Sequence, residues 1–380
     1  MTGRPGREAL WRQVYDHTYR IDEEPVGAAF DTTGWTNTYT AEPYTRAEME
    51  EWVDDTVRGI TEHGPHTVLD IGCGTGLLGH RLMPSLDAYC GLDFSVGALR
   101  RFTLGMDPRA GTAVCLVLGS ATHLDRVPQW EYDCVVLNSV LQYFPDSAYV
   151  HDVLRRAHGL VRGSGVLFLG DVRHRGLQDV HHAWAEWRSG HDEMTAGEAR
   201  HNVFRRLRTD REWSAAPADL VDLVRAATGA EHIEIRLKSG THATEMNLFR
   251  YDAVCHVGPG RPSIRITDWH PWETGAERRI DWRSRRPVGF LDAPVPRLAL
   301  PLAAARRLRD APDDMPLGEL RAVNDRPTLP DPLGALCAAA REHGAEVRTS
   351  WMRDGSGQTC DLAIVFDDSG DGPAPVEWAR

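Results

Sequence analysis

The sequence predicts an α/β chain built on a mostly parallel sheet. Three observations carry that expectation. From residue 67, short apolar runs alternate with helical stretches: TVLDI, AYCGL, AVCLVL, CVVLN and GVLFLGD. Parallel strands joined by crossover helices produce such alternation. The first run leads directly into glycines, in TVLDIGCGTGLLGHRL over 67–82. Two later runs, HIEIRL (232–237) and LFRYDAVCHV (248–257), flank a polar, glycine-containing loop and can close the sheet as an antiparallel pair.

The other elements follow in chain order. Residues 1–66 carry helical signals and an aromatic-rich loop. Within 48–60, Met49, Trp52, Val53, Val57 and Ile60 share one helical face. The sheet-forming core spans 67–258, and 176–231 reads as a helical insertion rich in His and Trp. A small α+β appendage is expected over 259–366. Its first part, to 330, is Pro- and Arg-rich and reads as irregular structure with short elements. A helix from Asp331 to His343 and strands EVRTSWM and CDLAIVF then follow. The stretch 367–380, DDSGDGPAPVEWAR, reads as a disordered tail.

Composition bounds the function. At 380 residues, the chain suits two to three globular units or one enlarged domain. Hydrophobic residues at 42% and charged residues at 26% allow a buried core. The formal charge of -12 argues against a nucleic-acid polymer as partner, which usually needs a basic face. No apolar run is long enough for a transmembrane helix, and MTGRPGREALWRQVYDH lacks the apolar centre of a signal peptide. None of the seven cysteines forms a C-x-x-C pair, and several lie inside apolar runs. They read as reduced core thiols, so a cytoplasmic protein is expected.

The sharpest local signal is the glycine loop. A buried strand ends in Asp70, and Gly72, Gly74 and Gly76 follow. Glycines let the backbone turn tightly and approach a ligand, and the next helix offers free N–H groups. A dinucleotide fingerprint would need glycine at 77, where this chain has Leu77. The second strand ends in Asp93, at the spacing where an acid reaches ribose hydroxyls. Phe94 can then pack on an adenine face, and Ser120 and Ala121 can meet its edge.

Together these elements resemble the class I S-adenosylmethionine-dependent methyltransferases. The segments EEPVGAAFDTTGWTNTYTAEPY (23–44), VLNSVLQYF (136–144), GDVR (170–173) and RLKSGTHATEMNLFRYDAVCHVG (236–258) are similar to the methyltransferase domains of nonribosomal peptide synthetases. The resemblance covers roughly 8–366 and is thin over 259–330. It implies a seven-stranded Rossmann-like sheet, S-adenosylmethionine as cofactor, and an N-terminal helical lid in which Trp35 and Tyr39 fold over that cofactor. Tyr15 is placed with them. Domains of this family N-methylate aminoacyl thioesters on a carrier protein. No adenylation, carrier or condensation sequence accompanies the domain here. The expected partner is therefore a carrier-bound aminoacyl group met in trans, or a free amino acid.

Methyl transfer needs in-line alignment, exclusion of water and a deprotonated acceptor. An amine near pKa 8 needs little help, whereas a phenol near 10 needs a positioned base. Asn138 and Ser139 follow the fourth strand and are expected at the methionine part, with Tyr143 bordering the methyl channel. Asp171 and Arg173 end the fifth strand, either as a structural pair or with Arg173 binding a substrate carboxylate. His182 matches a histidine of the resembling domains, while His181 and His174 are additions of this chain. Adjacent histidines on a helix point to different faces, so no metal site is expected. Glu245 matches a glutamate of the family motif and can bind an amino group or accept its proton. Arg250 and Tyr251 alternate along a strand, so one of them faces the pocket; Tyr251 is taken as the substrate contact. The catalytic candidates are His182, Glu245, His181 and Tyr143. N-methylation of an amino acid competes with C- or O-methylation of a hydroxylated aromatic amino acid, and with a non-catalytic scaffold.

Overall fold

A computed structural model describes residues 7–20, 28–107, 109, 111–258, 263–273, 275–322, 332–353, 355–366 and 374–378. Seven strands form the main sheet: β1 (Thr67–Ile71), β2 (Ala88–Asp93), β3 (Ala113–Leu118), β4 (Tyr132–Asn138), β5 (Val161–Arg173), β6 (Ile233–Leu237) and β7 (Arg250–His256). Their order is β3-β2-β1-β4-β5-β7-β6. The first five run parallel, and β7 is antiparallel to both neighbours. The crossover direction reverses between β1 and β4, which opens a crevice beyond their carboxyl ends.

Continuous apolar runs bury both faces of a parallel sheet. Leu69, Ile71, Val135, Leu137, Leu167 and Leu169 face one core. Val68, Cys134, Val136, Val166 and Phe168 face the other. Among the described residues twelve helices accompany the sheet: α1 (Arg7–Thr18), α2 (Arg46–Thr61), α3 (Gly79–Leu82), α4 (Val96–Leu104), α5 (Ser147–His158), α6 (Gln178–Ser189), α7 (Ala196–Thr209), α8 (Pro217–Thr228), α9 (Glu245–Phe249), α10 (Ala299–Asp310), α11 (Leu317–Ala322) and α12 (Pro332–Glu342). The apolar face read over 48–60 lies on α2. Met49, Trp52, Val53 and Ile60 are buried there, with Val57 packed beside them. A capping box of Thr45 and Glu48 starts this helix. The 176–231 stretch forms α6, α7 and α8 as expected of a helical insertion.

Two expectations need correction. The stretch to 330 is more regular than its composition suggested. It contributes β8 (Ile264–Arg265), β9 (Trp269–Pro271), β10 (Val288–Pro294), α10 and α11. Pro301 hides α10 from a sequence reading, yet it lies in the first helical turn, where proline is tolerated. With β11 (Glu346–Ser350) and β12 (Thr359–Val365), β9 and β10 build a second sheet of order β11-β12-β10-β9. In addition, 374–378 of the expected disordered tail is ordered. Its β13 (Val376–Glu377) pairs with β8, and Arg265 Nε meets Glu377 at 2.9 Å. The rest of that tail, like 23–27 of the expected lid, lies outside the described residues.

Candidate active site

The glycine loop follows β1 with positive φ at Gly72, Gly74 and Gly76. A Cβ on Gly72 would stand 2.4 Å from the Val140 side chain, so only glycine fits the turn. The loop floors a chamber at the carboxyl ends of β1, β2 and β4. Asp93 enters it from the end of β2. Its carboxylate accepts the amides of Ser95 (2.8 Å) and Gly74 (3.0 Å). Burial nevertheless pushes its pKa up to about 6. Asp70 accepts the Tyr89 hydroxyl at 2.8 Å, and burial pushes it up to about 7. Phe94, Ser120 and Ala121 line the same chamber. So do Asn138 and Ser139, and the Asn138 Oδ1 is buried without a hydrogen-bond partner among the described residues.

An aromatic wall closes this chamber. Trp11, Tyr15 and Tyr19 stand four residues apart on and just after α1, and all three line it. Tyr143 meets Trp11 at 4.7 Å and Tyr15 at 5.3 Å between ring centroids. The sequence reading named Tyr15 alone, although the i, i+4, i+8 spacing held the signal for all three.

A second, charged chamber adjoins the first and shares Trp35, Ser139 and Tyr143 with it. Thr244 caps α9 and so places Glu245 at its first position, not in a loop. Glu245 accepts Arg250 at 2.6 Å and the Thr38 hydroxyl, and His181 Nε2 lies 3.6 Å away. Burial alone would raise its carboxyl, but Arg250 and His181 hold it well below the ordinary range. His181 is itself buried, and burial lowers its pKa against the pull of Glu245. His182 Nε2 stands 3.4 Å from Asp210. Both histidines line the chamber, their ring centroids 4.9 Å apart. The expectation that they point to different faces is corrected: adjacent positions differ by only about 100° around a helix, which a wide cavity accommodates. Among the described residues no group of three His, Cys, Asp or Glu side chains could hold a metal.

The structure separates other candidates from the chambers. Asp171 and Arg173 do not pair with each other. The β5–β7 register shifts between Leu169 and Val172, and Asp171 has φ 61°. This bulge re-aims Asp171, which is fully buried against Arg250 (2.7 Å) and Trp52 Nε1 (3.3 Å). Asp252 holds the bulge by accepting the Asp171 amide at 2.7 Å and Lys238 Nζ at 3.1 Å. Arg173 does line the charged chamber and donates to Asp210 at 2.7 and 3.1 Å. Tyr251 points the other way and donates to the Ala215 carbonyl at 3.1 Å, so Arg250 takes the place expected of it. Tyr39 is buried beside Arg188, outside both chambers. His174 packs edge-on against Tyr251 and Trp351, also outside both. Asp210 and Glu212 escaped the sequence reading because the loop after α7 carries no motif.

Residues 69–167 match the family model described as a methyltransferase domain. Over these residues the chain carries a methyltransferase domain. It is 34% identical over 280 residues to chondramide synthase of Chondromyces crocatus, covering 73% of this chain and 7% of that protein. It is 33% identical over 307 residues to a probable non-canonical nonribosomal peptide synthetase of Salinispora arenicola, covering 80% of this chain and 4% of that protein. The methyltransferase thus spans less than a tenth of the length of these curated relatives. Among solved structures, magnesium protoporphyrin IX methyltransferase of Synechocystis with bound S-adenosylmethionine is 12% identical, with a TM-score of 0.44. That match covers 68% of this chain and all of the other.

The residues of the first chamber fit the cofactor. An orphaned acceptor (Asn138), two buried carboxylates and a backbone cradle suit a ligand with an ammonium, ribose hydroxyls and an aromatic base. The methyltransferase also carries a latch over this chamber. Asp31 pairs with Arg101 at 2.8 Å, and Arg101 donates to the carbonyls of Tyr19 and Arg20. The Asp31 carbonyl accepts Thr75 of the glycine loop at 2.7 Å. Gly97 of α4 lets the chain approach, since a Cβ there would stand 2.7 Å from the Tyr19 carbonyl. Gly97→Val is therefore expected to undock α1 and speed amide exchange over 7–20. Unchanged exchange, with cofactor affinity also unchanged, would make the aromatic wall independent of this contact.

Among the described residues no helix is long and apolar enough to cross a membrane. Among the described residues no two cysteines form a disulfide.

Proposed function

We propose that the methyltransferase methylates an amino acid, free or held as a carrier-bound aminoacyl group, in nonribosomal peptide biosynthesis. The supporting observation is the charged chamber beside the cofactor chamber, joined to it at Trp35, Ser139 and Tyr143. Its wall carries both arginines and carboxylates, which suits an acceptor carrying charge of its own. The peptide-synthetase relatives support the same substrate class.

In this reading Asp93 holds the ribose, Phe94 and Ala121 border the adenine, and Asn138 takes the methionine ammonium. The sulfonium of bound S-adenosylmethionine supplies an activated methyl group and its leaving group. Trp35 and Tyr143 exclude water at the junction and align the acceptor. Arg250 fixes Glu245 and touches Ser139 Oγ at 3.3 Å, so it positions both sides. His181, buried and held neutral, takes the acceptor proton on its imidazole, and Glu245 beside Nε2 balances the charge that forms.

That neutral histidine favours a second reading within the same class. A side-chain hydroxyl of an aromatic amino acid needs such a base, whereas an α-amine needs less. Mass spectrometry of products from free amino acids and carrier-loaded thioesters decides between them. A methylated amine supports the first, and a methylated hydroxyl or ring carbon the second. No methylated amino acid or thioester in the panel would contradict both.

A further inference from the structure

Carboxylates outnumber guanidiniums around the charged chamber. Asp210, Glu212 and Glu245 face Arg173, Arg206 and Arg250 on the wall. Two more carboxylates stand behind: Asp171 pairs with Arg250, and Glu186 with Arg206. Five anions thus share three cations, with the histidines beside them.

Four of the five have hydrogen-bond donors. Asp171 accepts Arg250 and Trp52. Glu245 accepts Arg250 and Thr38. Glu186 accepts Arg206 and Asn202. Asp210 accepts two bonds from Arg173 and the Glu212 amide. Glu212 differs. Arg173 approaches it at 3.1 Å, but that guanidinium is already committed to Asp210 and Gln178. Among the described residues the Glu212 carboxylate oxygens accept no hydrogen bond, and its side chain keeps 30% of its surface open. Burial raises its carboxyl despite Arg173, as expected of an undercompensated anion. It lines the charged chamber together with Tyr143, which also borders the cofactor chamber.

We infer that Glu212 is an ammonium-binding subsite that takes a primary ammonium of the acceptor, which stays protonated when a hydroxyl or ring carbon is methylated and first gives its proton to His181 when the amine itself is. This rests on the amino-acid reading proposed above and deepens it. An ammonium supplies three N–H donors, which Glu212 lacks among the described residues, and a positive charge beyond the share of Arg173 that it already has. The subsite selects acceptors with a free amine over des-amino acids and N-acylated chains. Losing its contact also leaves a charge unpaired, so discrimination is strong.

The test uses binding first. Phenethylammonium and its uncharged counterpart 2-phenylethanol are titrated into the whole protein loaded with S-adenosylhomocysteine. The ammonium should bind the parent more tightly, and Glu212→Gln should weaken it about tenfold or more while leaving the alcohol unaffected. Unchanged S-adenosylhomocysteine affinity in the variant certifies the fold. Turnover comes second. With an amino acid methylated by the parent, Glu212→Gln should raise KM about tenfold or more with little change in kcat. Glu212→Asp should recover part of that loss. Equal ammonium affinity in parent and Glu212→Gln, or no preference for the ammonium in the parent, overturns the subsite. A parent that methylates no amino acid or thioester would instead remove the proposed function, and the binding titration still decides the subsite.

Discussion

Asp93→Asn is expected to weaken S-adenosylmethionine binding about ten- to a hundredfold, the loss of a charge-assisted bond of about 1.5–3 kcal/mol. Asparagine keeps the shape that the Gly74 and Ser95 amides grip, so the charge alone is tested. The pH dependence has a definite sign. Burial raises Asp93 to about 6 and Asp70 to about 7, both above an unfolded carboxyl near 3.8. For folding, such groups contribute stability at low pH that is lost as pH rises through 6 and 7. For the cofactor the sign reverses, because a cationic ligand with hydroxyl donors needs carboxylates. Affinity should fall as pH drops from 7 through 6, with protons released on binding. Calorimetry in buffers of different ionisation heat reads both effects. Parental affinity in Asp93→Asn would place the ribose elsewhere.

His181→Ala is expected to lower kcat by about 100-fold at neutral pH, within the usual share of a general base. Burial lowers the His181 pKa, so its imidazole stays neutral to lower pH than a free histidine. The parental acid limb should therefore lie below the ordinary histidine value of about 6.5. In the variant the rate should follow deprotonation of the acceptor itself, so the deficit narrows toward about pH 9. Glu245→Gln should act on KM instead, because Glu245 is an anion locked to Arg250 and poorly basic. A His181→Ala profile that overlays the parent, with normal cofactor affinity, would assign the proton to another acceptor.

The cofactor chamber was legible because its parts are local. Strand, glycine turn and short helix lie within one stretch, and Asp93 ends the neighbouring strand. The charged chamber was legible only in part. His181, His182, Arg173 and Glu245 were all named, but from three separate segments with no rule to join them. Strand alternation said that either Arg250 or Tyr251 faces inward, and only the distant Ala215 carbonyl, which takes the Tyr251 hydroxyl, decides which. Asp171 and Arg173, two apart on one strand, should share a face. The bulge at Asp171 breaks that rule, and no residue pattern announces a bulge stabilised by distant Asp252. Glu212 is invisible for the same reason: its loop acquires meaning only when α7 packs beside α6.

The central claim is that methyl donor and acceptor meet where the two chambers share Trp35, Ser139 and Tyr143. A crystal structure of the protein with S-adenosylhomocysteine and the acceptor identified by mass spectrometry tests it most directly. The account predicts ribose density on Asp93, the sulfur at that junction and the acceptor among His181, Glu212 and Arg250. An acceptor bound outside the charged chamber, or a sulfur turned away from Tyr143, would contradict it.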